Sequence, residues 1–235
     1  LHPATRLRPS SGLKSRSEMN IRQIILTAVF LLLFAITGTG LVSFTHEATR
    51  ERIAENERLA LLRSLHQLIT PERHDNKLFH DAIQVRDRRL DIQDPVAVYR
   101  ARMKGEPVAL VLSPVAPDGY SGRIRLLVGI NYDGSLTGVR VVTHHETPGL
   151  GDAIEAERSD WVLDFDGRSI GDPDIEGWGV KKDGGIYDQF TGATITPRAV
   201  VKAVRNSLLY YNENRELLFR AYERREEEPG DKPQQ

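Results

Sequence analysis

The chain has 235 residues, 40% of them hydrophobic and 28% charged, with 32 Lys and Arg against 33 Asp and Glu. That composition supports a packed core, and a formal net charge of −1 gives no general pull toward nucleic acid. With no cysteine, the chain's own residues exclude disulfides, thiolate metal sites, iron–sulfur ligation and a cysteine nucleophile.

The first 23 residues are Ser- and Arg-rich before Met19, without apolar periodicity, and read as a cytoplasmic segment. Met19 stands near where a natural start is expected. Ile24–Phe44, "IILTAVFLLLFAITGTGLVSF", is 21 residues without a charge. As a helix it rises about 30 Å, the thickness of a bilayer core. A threonine hydroxyl in such a span can bond back to the helix. Arg6, Arg8, Lys14, Arg16 and Arg22 precede it against Glu18, so the positive-inside bias leaves the N-terminus in the cytoplasm. The stretch is too long for a secretory signal and has no small-x-small cleavage site, which favours an uncleaved anchor.

Residues 45–75 form a juxtamembrane helix and linker, in which Ile53, Leu61, Leu62, Leu65 and Ile69 suggest one apolar face. A solvated stalk and a docking helix both fit that pattern. Pro71 ends it. The body, residues 76–225, begins strand-rich. Ala97–Arg102 and Pro107–Pro114 carry strand composition, and Ala116–Gly122, "APDGYSG", reads as a turn. Arg123–His145 reads as an antiparallel hairpin about Asp133–Gly134, a pair that accepts φ > 0 at both positions. Arg158–Ile170 suggests a short helix or strand, and Gly171–Phe190 a glycine-rich loop. Pro197 to about Glu223 is helical, with Val200, Val204, Leu208 and Tyr211 on one face. Residues 226–235 read as a disordered tail. The class is α+β: one transmembrane helix, then an antiparallel sheet with flanking helices.

Three stretches could carry chemistry. In "DQFTGATITPRAV" (Asp188–Val200), Pro197 suits the first helical position and Thr196 the N-cap. Thr194 then lies at the positive end of the helix, where a phosphate would be stabilised, and Gly192 and Ala193 offer no bulk. A capped turn explains the same residues. In "HHETPGLGDAIE" (His144–Glu155), His145 and Glu146 are an acid/base or metal pair on paper, but adjacent strand residues point to opposite faces. A loop lining a ligand pocket fits better. Lys181–Lys182–Asp183 could set a cation over a ring or a phosphate, or be a solvated loop. Walker A, GxSxG and dinucleotide GxGxxG patterns are absent, and nothing suggests nucleic-acid recognition.

Asp188-Gln189-Phe190-Thr191-Gly192-Ala193-Thr194 resembles the D-x-x-[ST]-G-A-T flavinylation motif of FMN-binding domains, and "ETPGLG" (Glu146–Gly151) resembles the second signature of that family. Both motifs behind one anchor resemble the G subunit of Rnf ion-translocating electron-transport complexes and, more distantly, the C subunit of the sodium-pumping NADH:quinone reductase. The resemblance implies FMN joined to Thr194 by a phosphoester bond through a flavin transferase. Thr191, Gly192 and Ala193 would shape the turn, and Asp188 would serve transferase recognition. Glu146, Thr147, Leu150 and Gly151 would line the ring, with Lys182 a further contact. It implies a domain on the periplasmic side of a bacterial inner membrane, among lipid and the other membrane subunits of a redox complex linking ferredoxin and NAD. A sensory or assembly module on the same fold, or an independent flavin reductase, is the competing expectation.

Overall fold

The structure is a computed structural model describing residues 21–220. The readings made for residues 1–20, for the helix end near Glu223 and for the tail 226–235 lie outside the described residues. Two compact units divide within the first helix, at Glu57 and Arg58.

Helix α1 runs unbroken from Ile21 to Leu68, 48 residues, about 72 Å. Its apolar stretch is long and hydrophobic enough to cross a membrane, and the side chains from Ile24 to Phe44 are exposed. Thr27 and Thr37 resolve their hydroxyls as expected, donating to the carbonyls of Gln23 and Leu33 at 2.8 Å. The span and the juxtamembrane helix are therefore one element. Ile53 is exposed and does not join a buried face, whereas Leu65, Leu68 and Ile69 are buried.

The second unit holds a six-stranded antiparallel sheet: β1 (Ala82–Val85), β2 (Val96–Met103), β3 (Glu106–Leu112), β4 (Val115–Gly119), β5 (Gly122–Asn131) and β6 (Leu136–Thr143). β3 and β4 lie along the same edge of β5, interrupted at Ser113–Pro114, and β6 takes the other edge. Most of "APDGYSG" is thus strand, and the turn shrinks to Tyr120–Ser121. Ladder bonds to β5 outweigh the turn-forming composition there. The Asp133–Gly134 hairpin is present, but only Gly134 has positive φ, at 94°. A two-residue turn with both φ values positive is found instead between β2 and β3, at Lys104–Gly105.

The strands are apolar on both faces because both are covered. On one face Leu110, Leu112, Ile124, Leu126, Val128 and Ile130 pack with helix α2 (Ile195–Phe219) and the short 3₁₀ turns of residues 151–183. The expected stripe of Val200, Val204, Leu208 and Tyr211 is fully buried there. On the other face Ala101, Ala109, Val111 and Leu127 pack with Leu65, Leu68, Ile69 and Leu78. Arg100 and Arg102 on β2 hold the end of α2: Arg100 donates to the Arg220 carbonyl at 2.8 Å and Arg102 to the Phe219 carbonyl at 2.7 Å. Both also pair with Asp81.

Candidate functional site

The two signature stretches meet at the N-terminus of α2. The helix starts at Ile195, with Thr194 as the residue before it, in αR conformation and without a side-chain capping bond. This corrects the reading of Thr196 as N-cap. Thr196 is the second helical residue, fully buried, and its hydroxyl donates to Glu146 Oε2 at 2.5 Å. Pro197 is the third helical residue; its missing N–H is one of those a first turn leaves unpaired in any case.

Glu146 joins three segments. Its Oε1 accepts from the backbone N–H of Ser121, in the β4–β5 turn, at 3.0 Å. Its Oε2 accepts from Thr196, and its own N–H donates to His144 Nδ1 at 3.0 Å. Gly151 has to be glycine here: a Cβ would lie 2.9 Å from Glu146 Cβ and 3.1 Å from Thr196 Oγ1. The Glu146 carboxylate is therefore turned inward onto protein donors, and its part is to hold the "ETPGLG" loop against α2. Farther along that loop, Asp152 Oδ1 accepts from Gly149 N–H at 2.8 Å and fixes the turn.

Because His144 Nδ1 accepts a backbone N–H, it carries a lone pair, and Nε2 is the protonated nitrogen that faces Glu155 Oε1 at 2.5 Å. His145 is exposed, whereas Glu146 is buried. Among the described residues no group of three His, Asp or Glu is placed to hold a metal.

The TGAT turn closes with Ala193 N–H donating to Phe190 O at 3.1 Å, and Gly192 takes φ 81°. Leu150 reaches over this glycine, 3.7 Å from where a Cβ would stand, and remains half exposed. Thr147 and Thr191 are exposed, and Ala193 and Thr194 half-buried. So Thr191, Gly192, Ala193, Thr194, Leu150 and Gly151 are brought together. Lys182 is beside them through its N–H on Gln189 Oε1 at 3.2 Å, its side chain exposed. The neighbouring Lys181 is the one that pairs with Asp188, at 2.6 Å. Asp183 pairs with Arg198 on the first turn of α2, and that guanidinium holds its carboxyl below the usual carboxylate range.

Beneath the motif lies an aromatic cluster that sequence reasoning did not assign. Trp161 Nε1 donates to the Asp188 carbonyl at 2.8 Å. Its ring meets Phe190 edge-on at 5.2 Å and Phe165 at 5.4 Å, and Phe165 stacks on Tyr187 at 4.4 Å. Burial pushes the Tyr187 phenol well up from its ordinary value. The signal available was a tryptophan in an amphipathic turn, which by itself says only core. On the other face of the sheet, a groove of about 420 Å³ is lined by Val115, Arg123, Arg125, Thr143 and His145. Arg123 is already held there by Asp91 at 2.6 Å.

Known proteins resemble this chain in sequence. The FMN-binding domain pattern covers residues 119–209, from the end of β4 into α2, and the RnfG N-terminal region covers residues 19–68. The G subunit of the ion-translocating oxidoreductase complex of Shewanella loihica is 49% identical over 199 residues, 84% of this chain and 94% of that protein. Its counterparts from Vibrio atlanticus and Pseudomonas aeruginosa PAO1 are 46% and 49% identical, over 80% and 84% of this chain and 90% and 93% of theirs. The chain belongs to this G-subunit family. It thus carries an FMN-binding domain behind one helix of membrane-spanning length.

The residues present fit FMN. Gly192 and Ala193 leave the backbone approachable, the Thr194 side chain makes no capping bond, and Leu150 and Ile195 offer exposed apolar surface beside it. The first N–H groups of α2 point toward an anion placed at Thr194. That combination suits a phosphate at the helix mouth and a flat apolar ring against the loop.

Proposed function

We propose that this chain is the single-span electron-transfer subunit of an ion-translocating oxidoreductase complex, carrying FMN on Thr194 through a phosphoester bond. The observation that carries the acceptor assignment is the different state of the three threonines. Thr196 is buried and committed to Glu146. Thr191 sits in the exposed turn, away from the helix donors. Thr194 alone combines a hydroxyl without a capping bond with the start of α2. Attachment replaces its O–H bond by an O–P bond to the FMN phosphate. The phosphoanhydride of an activated FMN donor on the transferase breaks, and the proton leaves with the displaced phosphate.

FMN supplies the redox chemistry, and the chain fixes its position. The N–H groups of Ile195 and Thr196 and the helix dipole bind the phosphodiester. Thr147, Leu150 and the Gly151 backbone would shelter the ring, and Lys182 would be the cation that faces it or the phosphate. Glu146 acts behind this surface, as the tie between loop and helix. Asp188 serves the transferase, and Lys181 neutralises it at rest. The basic N-terminal segment stays in the cytoplasm and the domain lies in the periplasm, where covalent attachment keeps a cofactor that could not be replaced by diffusion. With the other membrane subunits, the chain passes electrons between ferredoxin and NAD while an ion moves.

The test is the full chain purified from cells that make the transferase. In-gel flavin fluorescence and an FMN-sized mass increment are expected on the peptide containing Thr194, and both are lost in Thr194→Ala. Normal flavin in that variant sinks the acceptor assignment. A flavin-free wild type sinks the covalent reading itself.

A further inference from the structure

The attachment motif is held from below by one side chain in two places, and neither contact involves the residues that resemble the family signatures' FMN contacts. Trp161 donates from Nε1 to the carbonyl of Asp188, the first motif residue, at 2.8 Å. Its ring packs edge-on against Phe190, two residues farther on, with centroids 5.2 Å apart and an interplanar angle of 71°. Phe190 in turn closes the TGAT turn by accepting from Ala193 N–H. The contacts therefore continue from Trp161 through Phe190 and Ala193 to Thr194.

Trp161 is itself fixed. Ser159 Oγ accepts from its backbone N–H at 3.2 Å, and Phe165 packs edge-on with its ring. The segment it supports has few other ties: Thr191 and Gly192 are exposed, and Asp188 is otherwise held by an exposed pair with Lys181. Exposed pairs of that kind contribute little to order. A buried indole N–H, by contrast, is costly to leave unpaired, so it favours the backbone path that offers it the Asp188 carbonyl.

We propose that Trp161 is a positioning residue for flavin attachment. It holds Asp188–Ala193 in the path that presents the Thr194 hydroxyl to the transferase and keeps the attached phosphodiester at the mouth of α2. The inference rests on the attachment reading above and adds to it a residue that touches neither the phosphate nor the ring.

Trp161→Phe removes the N–H donor and keeps a ring against Phe190. Val162→Ala, next in sequence and fully buried, is the control: it weakens the same core and removes no hydrogen bond to the motif. Both are made in the full chain and produced with limiting transferase, and flavin per folded protein is followed with time. Trp161→Phe should load flavin about tenfold more slowly, the change in population that one lost hydrogen bond produces. Val162→Ala should load at the wild-type rate. In the unflavinylated chain, amide exchange at Thr191–Ala193 should rise by a similar factor in Trp161→Phe alone. Wild-type loading and exchange in Trp161→Phe overturns the proposal. So does slowing in both variants in proportion to their stability, which is the mark of a merely structural role. If the wild type takes no flavin, the attachment reading fails, and the exchange measurement still decides whether Trp161 orders the segment.

Discussion

Thr196→Val isolates the bond that ties the two signature stretches together. Valine has nearly the shape of threonine, so no cavity opens, but Glu146 Oε2 loses the donor it holds at 2.5 Å. Glu146 is only 5% exposed and Thr196 fully buried, so water cannot replace the lost partner. Hydrogen bonds to charged groups contribute about 1.5–3 kcal/mol. A loss of about 2 kcal/mol follows, which for a domain of this size lowers the melting midpoint by roughly 4–8 °C. Urea unfolding of the full chain in detergent reads this well, because Trp161 and Trp178 are both buried in the domain and the membrane-spanning helix contains no tryptophan. With the usual slope of about 1–3 kcal/mol per molar urea, the midpoint should fall by roughly 1 M. The same substitution on a Glu146→Ala background should cost much less, since the acceptor is gone. A midpoint within error of wild type, or an equal cost with and without Glu146, refutes the reasoning.

Gly151→Ala places a Cβ 2.9 Å from Glu146 Cβ; it should cost about 1–3 kcal/mol by thermal unfolding and lower flavin loading as the loop lifts from α2. Arg100→Met removes a side chain that is 4% exposed and leaves Asp81 and the Arg220 carbonyl short of a donor. The expected loss is about 3 kcal/mol, with amide exchange rising first at the C-terminal end of α2. Asp133 accepts from the hydroxyl and N–H of Ser135, which holds its carboxyl below its ordinary value of 3.8. A lowered folded value means that the contribution is complete above that ordinary value and lost as pH falls beneath it. Asp133→Asn should therefore flatten the acid end of the urea-midpoint profile and leave the neutral region's pH dependence unchanged.

What could be read from the residues was what repeats or stands out locally. The 21 uncharged residues, the four-four-three stripe on α2 and the two signature stretches all carry their meaning in sequence neighbours. The β4 strand did not, because Pro117, Asp118 and Gly119 are turn formers that only the partner strand β5 overrules. The role of Thr196 was hidden for a similar reason. Its hydroxyl is claimed by a carboxylate fifty residues earlier, and capping rules consider only the next few N–H groups. Trp161 was legible as core and no more, since its partner is a backbone carbonyl that every residue has. Glu146 was visible as belonging to the site, but not which way it faces.

The last turns of α1 have a practical meaning for anyone dividing this protein. The N-terminal family region ends at residue 68, and a cut there looks natural. Yet Leu65 and Leu68, with Leu61 beside them, roof the second face of the sheet over Ala101, Ala109, Val111 and Leu127. A soluble fragment beginning at Thr70 would bare that surface and tend to aggregate. One beginning at Arg58, where the second compact unit starts, would keep its roof. The family boundary in the sequence is thus not a boundary of folding.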